Sequence, residues 1–170
     1  MVHRHLYFIQ NFRIFAPVFE IEAARSSIFY LKGMDKNAIA KAIEGTLEQR
    51  GCFLVEVSLN AYNDIEITIE KADGAVDWDD CAAVDRTVHE AFNQDDEDYS
   101  LTVSSAGLDR PFKVLPQYLK ALGTLVEVKF LDGKKKIAKL EAASVDSITL
   151  DDEAFPMAEI HSVKPHIDFK

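Results

Sequence analysis

Cysteine is scarce: Cys52 and Cys81 are the only two among 170 residues, and they form no CxxC pair. Both sit in apolar patterns, which marks them as small core residues rather than a disulfide or a metal pair. A reducing cytoplasm fits that usage. No window of 18 apolar residues occurs, so no helix is expected to span a membrane. Positive charge is also short. Nineteen Lys and Arg face 29 Asp and Glu, a net charge of -10. Nonspecific attraction to bare nucleic acid should therefore be poor, since it comes from basic side chains neutralising phosphates. A nucleic-acid partner then requires a local basic patch, or a protein embedded in RNA. Signatures of catalysis are missing too: no Walker loop, dinucleotide fingerprint, HExxH or nucleophile elbow. Hydrophobic residues make up 48% of the chain, enough to build the core of one medium domain or two small ones.

Residues 1–34 differ from the rest. They hold seven aromatic residues, Tyr7, Phe8, Phe12, Phe15, Phe19, Phe29 and Tyr30, and four basic residues against two acidic ones. Gln10, Asn11 and Arg13 break the apolar run, so a signal peptide fits poorly. The folded protein is expected to begin near Met34. The segment before it is either an over-long gene start, a loosely attached extension, or a docking segment.

From residue 35 to 110 the pattern is α/β. Asp35 is placed to cap a helix whose Ile39, Ala42, Ile43 and Leu47 recur at three and four, and Gly51 ends it. Phe53, Val55, Val57 and Leu59 alternate with more polar residues as a strand with one dry face, apart from Leu54. A turn at residues 60–64 leads to a second strand with Ile65, Ile67 and Ile69 inward, antiparallel to the first. Asp77, with Asp80 three positions on, opens a second helix with Cys81, Val84, Val88 and Phe92 as its buried stripe. Leu101 and Val103 mark a third strand. An αββαβ order buries its apolar faces by packing both helices on one sheet face.

From 111 to 170 the period changes to two. Pro116–Leu122 reads as a short helical turn with Tyr118, Leu119 and Leu122 inward, stopped at Gly123. Val126, Val128 and Phe130 define a strand, and Asp132-Gly133 is a hairpin turn. Lys135 to Glu141 continues as a strand whose inward parity is ambiguous. Ile148 and Leu150, a turn at 151–153, and Ala158, Ile160 and Val163 complete a small SH3- or Sm-like barrel, whose closure would hide its strand edges. The fold class is therefore α+β with two domains, 35–110 and 111–170.

The connecting stretch Val103-Ser-Ser-Ala-Gly-Leu-Asp-Arg-Pro-Phe112 is rich in residues that serve loops and hydrogen bonds, not cores. No histidine stands in a relation to Ser104 or Ser105 that makes a triad. Asp109 and Arg110 have two readings: fixing the junction, or direct contact with RNA or protein. Ser104, Ser105, Gly107, Leu108, Asp109, Arg110, Pro111 and Lys113 are the candidate junction or partner-binding residues. Lys129, Lys134, Lys135, Lys136 and Lys139 crowd one hairpin. They are candidates for RNA phosphate contact or a charged edge against aggregation. The acidic cluster Asp77, Asp79, Asp80 and Asp85 reads as a solvated helix end, with a metal-dependent enzyme as a rival. Trp78 is a helix staple or a partner anchor.

The motif at 103–112 resembles the Val-Ser-Ser-Pro-Gly-Leu-Asp-Arg-Pro pattern of the bacterial ribosome maturation factor RimP family. Gly51 to Val57 and Val76-Asp-Trp-Asp-Asp-Cys81 add to the resemblance, which runs from about Asp35 to Phe169. It implies an α/β domain followed by an SH3/Sm-like barrel, no catalytic activity and no cofactor. It also implies binding to the immature 30S small ribosomal subunit, near ribosomal protein S12 and 16S rRNA, during late assembly in the cytoplasm. The chain is expected to act as a monomer. Ala106 replaces the pattern's proline, which should leave the turn less restrained. A protein-binding adaptor without RNA contact is the alternative.

Overall fold

The computed structural model describes residues 35–92 and 98–167. The segment 1–34 and the acidic residues Asp95, Asp96 and Glu97 lie outside them. Helix α1 (Lys36–Arg50) starts where Asp35 accepts hydrogen bonds from the backbone N–H groups of Asn37 (2.8 Å) and Ala38 (2.9 Å). Such a cap is worth about 1 kcal/mol. The helix ends at Gly51, whose φ of 64° suits a residue without a Cβ. Strands β1 (Cys52–Leu59) and β2 (Asp64–Lys71) form an antiparallel hairpin. Helix α2 (Trp78–Ala91) crosses over to β3 (Ser100–Ser105), which pairs with β2 in parallel. The sheet order is β1-β2-β3, so β2 is central. Its Ile65, Ile67 and Ile69 are all buried, each contributing about 1.5–3 kcal/mol of apolar burial. With Ile39, Ile43 and Leu47 of α1 and Val84 and Val88 of α2 they form one core.

The expected dry face of β1 is corrected by a bulge. The pairing register shifts between Leu54 and Glu56, leaving Val55 without an opposite residue. Leu54, Val57 and Leu59 therefore lie opposite Ile69, Ile67 and Ile65 and pack on the helix-side core. Phe53 lies opposite Glu70 on the other face and is nonetheless buried. One extra residue flips the parity of everything before it.

Helix α3 (Leu115–Lys120) opens the second half. It is shorter than the sequence suggests: Leu115 and Tyr118 are buried, while Leu122 lies beyond the helix and is exposed. Five strands follow, β4 (Leu125–Phe130), β5 (Lys135–Ala143), β6 (Ser147–Leu150), β7 (Glu153–Pro156) and β8 (Ile160–Pro165). All neighbours are antiparallel, in the order β7-β6-β5-β4-β8. Val126, Val128, Ala138, Leu140, Ile148, Leu150 and Val163 form the core with Leu115 and Tyr118. The ambiguous parity of β5 resolves with Ala138 and Leu140 inward, opposite Val126 and beside Leu150. Strands β7 and β8 end the order, and a 3-10 turn at Met157–Glu159 joins them. The two cores belong to one compact unit, Met34–Lys170.

Candidate functional site

The loop after β3 begins with its last pairing. Ala106 is buried, and its N–H donates to the Ile69 carbonyl (3.1 Å). A proline could not make that bond, so alanine fastens the loop's start where a weaker restraint was expected. Ser104 and Ser105 are exposed at the end of β3. Gly107 turns the chain at φ 78°, a conformation that strains any residue with a Cβ. Leu108 then stands 79% exposed. Asp109, Arg110 and Pro111 follow, also exposed. Among the described residues, the Asp109 and Arg110 side chains make no hydrogen bond or ion pair. The reading in which Arg110 reaches across the junction thus has no contact to rest on. The chain is gripped again at Phe112, whose N–H donates to the Val163 carbonyl (2.8 Å) and whose ring meets Tyr118 edge-on at 5.0 Å.

Other residues hold the two halves together. Lys113 Nζ pairs with Glu56, and Lys120 Nζ with Glu70 (3.1 Å) and the Gly74 carbonyl (2.9 Å). Gln117 is buried; its Oε1 accepts from the Lys113 N–H (2.7 Å), and its Nε2 donates to Glu70 (2.8 Å). Sequence reasoning named Lys113 but missed Gln117, Glu56 and Glu70. No local pattern links Gln117 to Glu70, 47 positions away.

The hairpin lysines are not equivalent. Lys134 pairs with Asp132 (2.8 Å) at the tip. Lys136 sits at an inward position opposite Val128, pairs with Glu153 (3.5 Å) and lies 5.2 Å over the Phe155 ring. Lys129 and Lys135 are directly opposite each other on the outer face, and Lys139 is opposite Leu125. Lys135 reaches Glu127 (3.4 Å), as does Lys164 of β8 (3.6 Å). Burial pushes the Glu127 carboxyl upward, but these two ammonium groups hold it below the ordinary range. Lys129 lies on the interior strand β4, whereas Lys135 to Lys139 of β5 pair with β4 alone, β6 joining β5 only from Leu140 onward, so the edge-protection reading applies to the β5 lysines and not to Lys129.

In the acidic cluster Asp77 and Asp79 are exposed, as expected of a solvated helix end, but Asp80 is not. Asp80 is 1% exposed. It accepts from Arg50 Nε (2.9 Å), Lys71 Nζ (2.7 Å) and the Asp77 N–H (3.0 Å), while Asp77 accepts from the Asp80 N–H (2.9 Å). Burial alone would raise its pKa; the hydrogen bonds from Lys71, Asp77 and Arg50 outweigh it and hold the carboxyl below its ordinary value. The carboxylate is thus committed to structure. Among the described residues no three His, Cys, Asp or Glu side chains gather as metal ligands. Trp78, at the start of α2, is 83% exposed, which rules out the staple. His89 Nδ1 meets the hydroxyl of buried Tyr99 (2.7 Å), and that hydroxyl donates to the Phe92 carbonyl (2.9 Å). Tyr99 carried no pattern that announced this role.

Fold and site together define a small α+β protein: a helix-covered sheet and a β domain, with an exposed loop between them and a basic sheet face beyond. No helix among the described residues is long and apolar enough to cross a membrane. The family model for the RimP N-terminal domain matches residues 42–109. Two proteins of Porphyromonas gingivalis strains, each named ribosome maturation factor RimP, are 31% identical over 132 residues, covering 78% of this chain and 82% of theirs. A protein of the same name from Christiangramia forsetii is 32% identical over 118 residues, covering 69% and 76%. The chain belongs to the RimP family.

Proposed function

We propose that this protein is a noncatalytic ribosome maturation factor that binds the immature 30S subunit and promotes its late maturation. The family membership supports the maturation role. The observation that carries a binding mode is the loop: Leu108 projects into solvent, and Asp109 and Arg110 beside it are uncommitted among the described residues. Arginine is enriched at the energetic centres of interfaces, and Leu108 beside it adds exposed apolar surface. The loop would meet a protein surface, with ribosomal protein S12 as the expected partner. The lysines of the β4–β5 hairpin would contact 16S rRNA. Segments 35–110 and 111–170 would act as two linked contacts, each raising the effective concentration of the other.

Such a factor works by binding one assembly state more tightly than the next; equal affinity for both would shift nothing. Co-sedimentation tests this. The protein should travel with immature 30S particles in preference to mature 30S or 70S, and equal or absent binding refutes the proposal. Crosslinks from the hairpin lysines to rRNA separate this reading from an adaptor that touches protein alone.

A further inference from the structure

The pairing register of β8, β4 and β5 lays out a grid on the outward face of the β domain. Ser162, Lys129 and Lys135 form one row, and Lys164, Glu127 and Ile137 the next. Lys139 lies opposite Leu125 in the third, where the His166 N–H donates to the Leu125 carbonyl (3.0 Å). Directly opposed residues of antiparallel strands point to the same side. Four lysines therefore share a face with Glu127, with Glu141 two residues beyond Lys139 in β5, in a chain whose net charge is -10. Asp151 stands at its margin, accepting from the Lys139 N–H (3.0 Å).

Three observations set this face apart from an ordinary solvated surface. Lys129 and Lys135 are like charges directly opposite, a pairing that weakens a sheet. Among the described residues the Lys129 and Lys139 side chains have no ion pair, and Glu127 is shared between Lys135 and Lys164. Ile137 and Leu125, at the centre and one edge, are about half exposed (52% and 48%), leaving apolar surface where sugars or bases could lie.

We infer that the outer face of β8-β4-β5, through Lys129, Lys135, Lys139 and Lys164, is a docking surface for an RNA phosphate backbone, and that Lys134 and Lys136 are not part of it. This rests on the function proposed above and narrows it to one face, adding Lys164. The lysines act as point charges that displace counterions. The binding is expected to be backbone-directed and weakly sequence-selective.

The test measures affinity of the full chain for a labelled small-subunit rRNA transcript between about 50 and about 200 mM KCl. The variant K129Q/K139Q breaks no ion pair among the described residues and should fold as wild type, checked by circular dichroism. It should reduce the log–log salt slope by about 1.5, and adding K135Q and K164Q should bring the loss to about 3, at roughly 0.7–0.9 per phosphate contact. K134Q/K136Q should leave the slope unchanged. An unchanged slope in the four-lysine variant, an equal loss in K134Q/K136Q, or wild-type affinity for polyglutamate matching that for rRNA overturns the inference. So does undetectable rRNA binding at low salt. If wild type still co-sediments with immature 30S particles in any of these cases, the docking face is wrong and the maturation role stands. If co-sedimentation is lost as well, both fall.

Discussion

Replacing Asp80 with alanine should cost about 2–4 kcal/mol of folding stability. The carboxylate is buried and receives three hydrogen bonds, two from cations. Removing one partner of a fully buried ion pair costs about 3–5 kcal/mol. Here the Arg50 and Lys71 side chains are 36% and 24% exposed, so water recovers part of what they lose, and the figure is correspondingly lower. In a chain of this length that shifts the melting midpoint by roughly 5–15 °C. Asp80→Asn keeps an oxygen for the Asp77 N–H but loses the charge, and should cost about half as much. Urea unfolding followed by circular dichroism reads both, with the slope unchanged if the native state is otherwise intact. The pH dependence has a defined sign. The folded carboxyl titrates below its ordinary value of 3.8, so its stabilisation is complete above that pH and lost as pH falls through the folded value. The difference between wild type and Asp80→Asn should therefore hold from neutral pH down to about 3.8 and shrink in stronger acid. An Asp80→Ala variant within about 0.5 kcal/mol of wild type, or a difference that persists into strong acid, would refute the structural role.

Tyr99→Phe removes the hydroxyl that joins His89 to the Phe92 carbonyl; it should destabilise by about 1 kcal/mol in the same urea assay. Gly107→Ala puts a Cβ on a backbone at φ 78° and should cost about 1–2 kcal/mol, while weakening partner binding in co-sedimentation if the loop is the contact. The Cys52 thiol is buried, with burial as the leading cause that pushes its pKa up to about 11. Disulfide-exchange labelling at about pH 8 should therefore leave Cys52 unmodified in the native protein and modify it rapidly in urea; fast native labelling would contradict its burial.

The parts of this fold that depend on neighbours in sequence were readable from it. Asp35 and Asp77 announce helix starts because a cap and the amides it satisfies lie within three residues. The isoleucines of β2 announce a half-buried strand because their period is local. The bulge at Val55 was hidden because Phe53, Leu54 and Val55 are all apolar, so the alternation offers no contrast by which to detect a slipped register. Asp80 looked solvated because Arg50 and Lys71, which neutralise it, lie 30 and 9 positions away. The same distance problem concealed Gln117 and Glu70 at the junction. The lysine hairpin was recognisable as basic from composition. Which lysines share a face needed the pairing of β4 with both β5 and β8.

The parallel alignment of β3 against β2 carries a kinetic corollary. The β1–β2 hairpin closes across a short turn, but Ser100 meets Asp64 over a separation of 36 residues, a slower event that must await the crossover helix. The Gly107–Pro111 segment leaves directly from β3, so it acquires its shape only after that strand has docked. A newly made chain would thus pass through a stage with a finished hairpin and no ordered tether, and competence to engage a partner would serve as a readout that the first half has completed its topology.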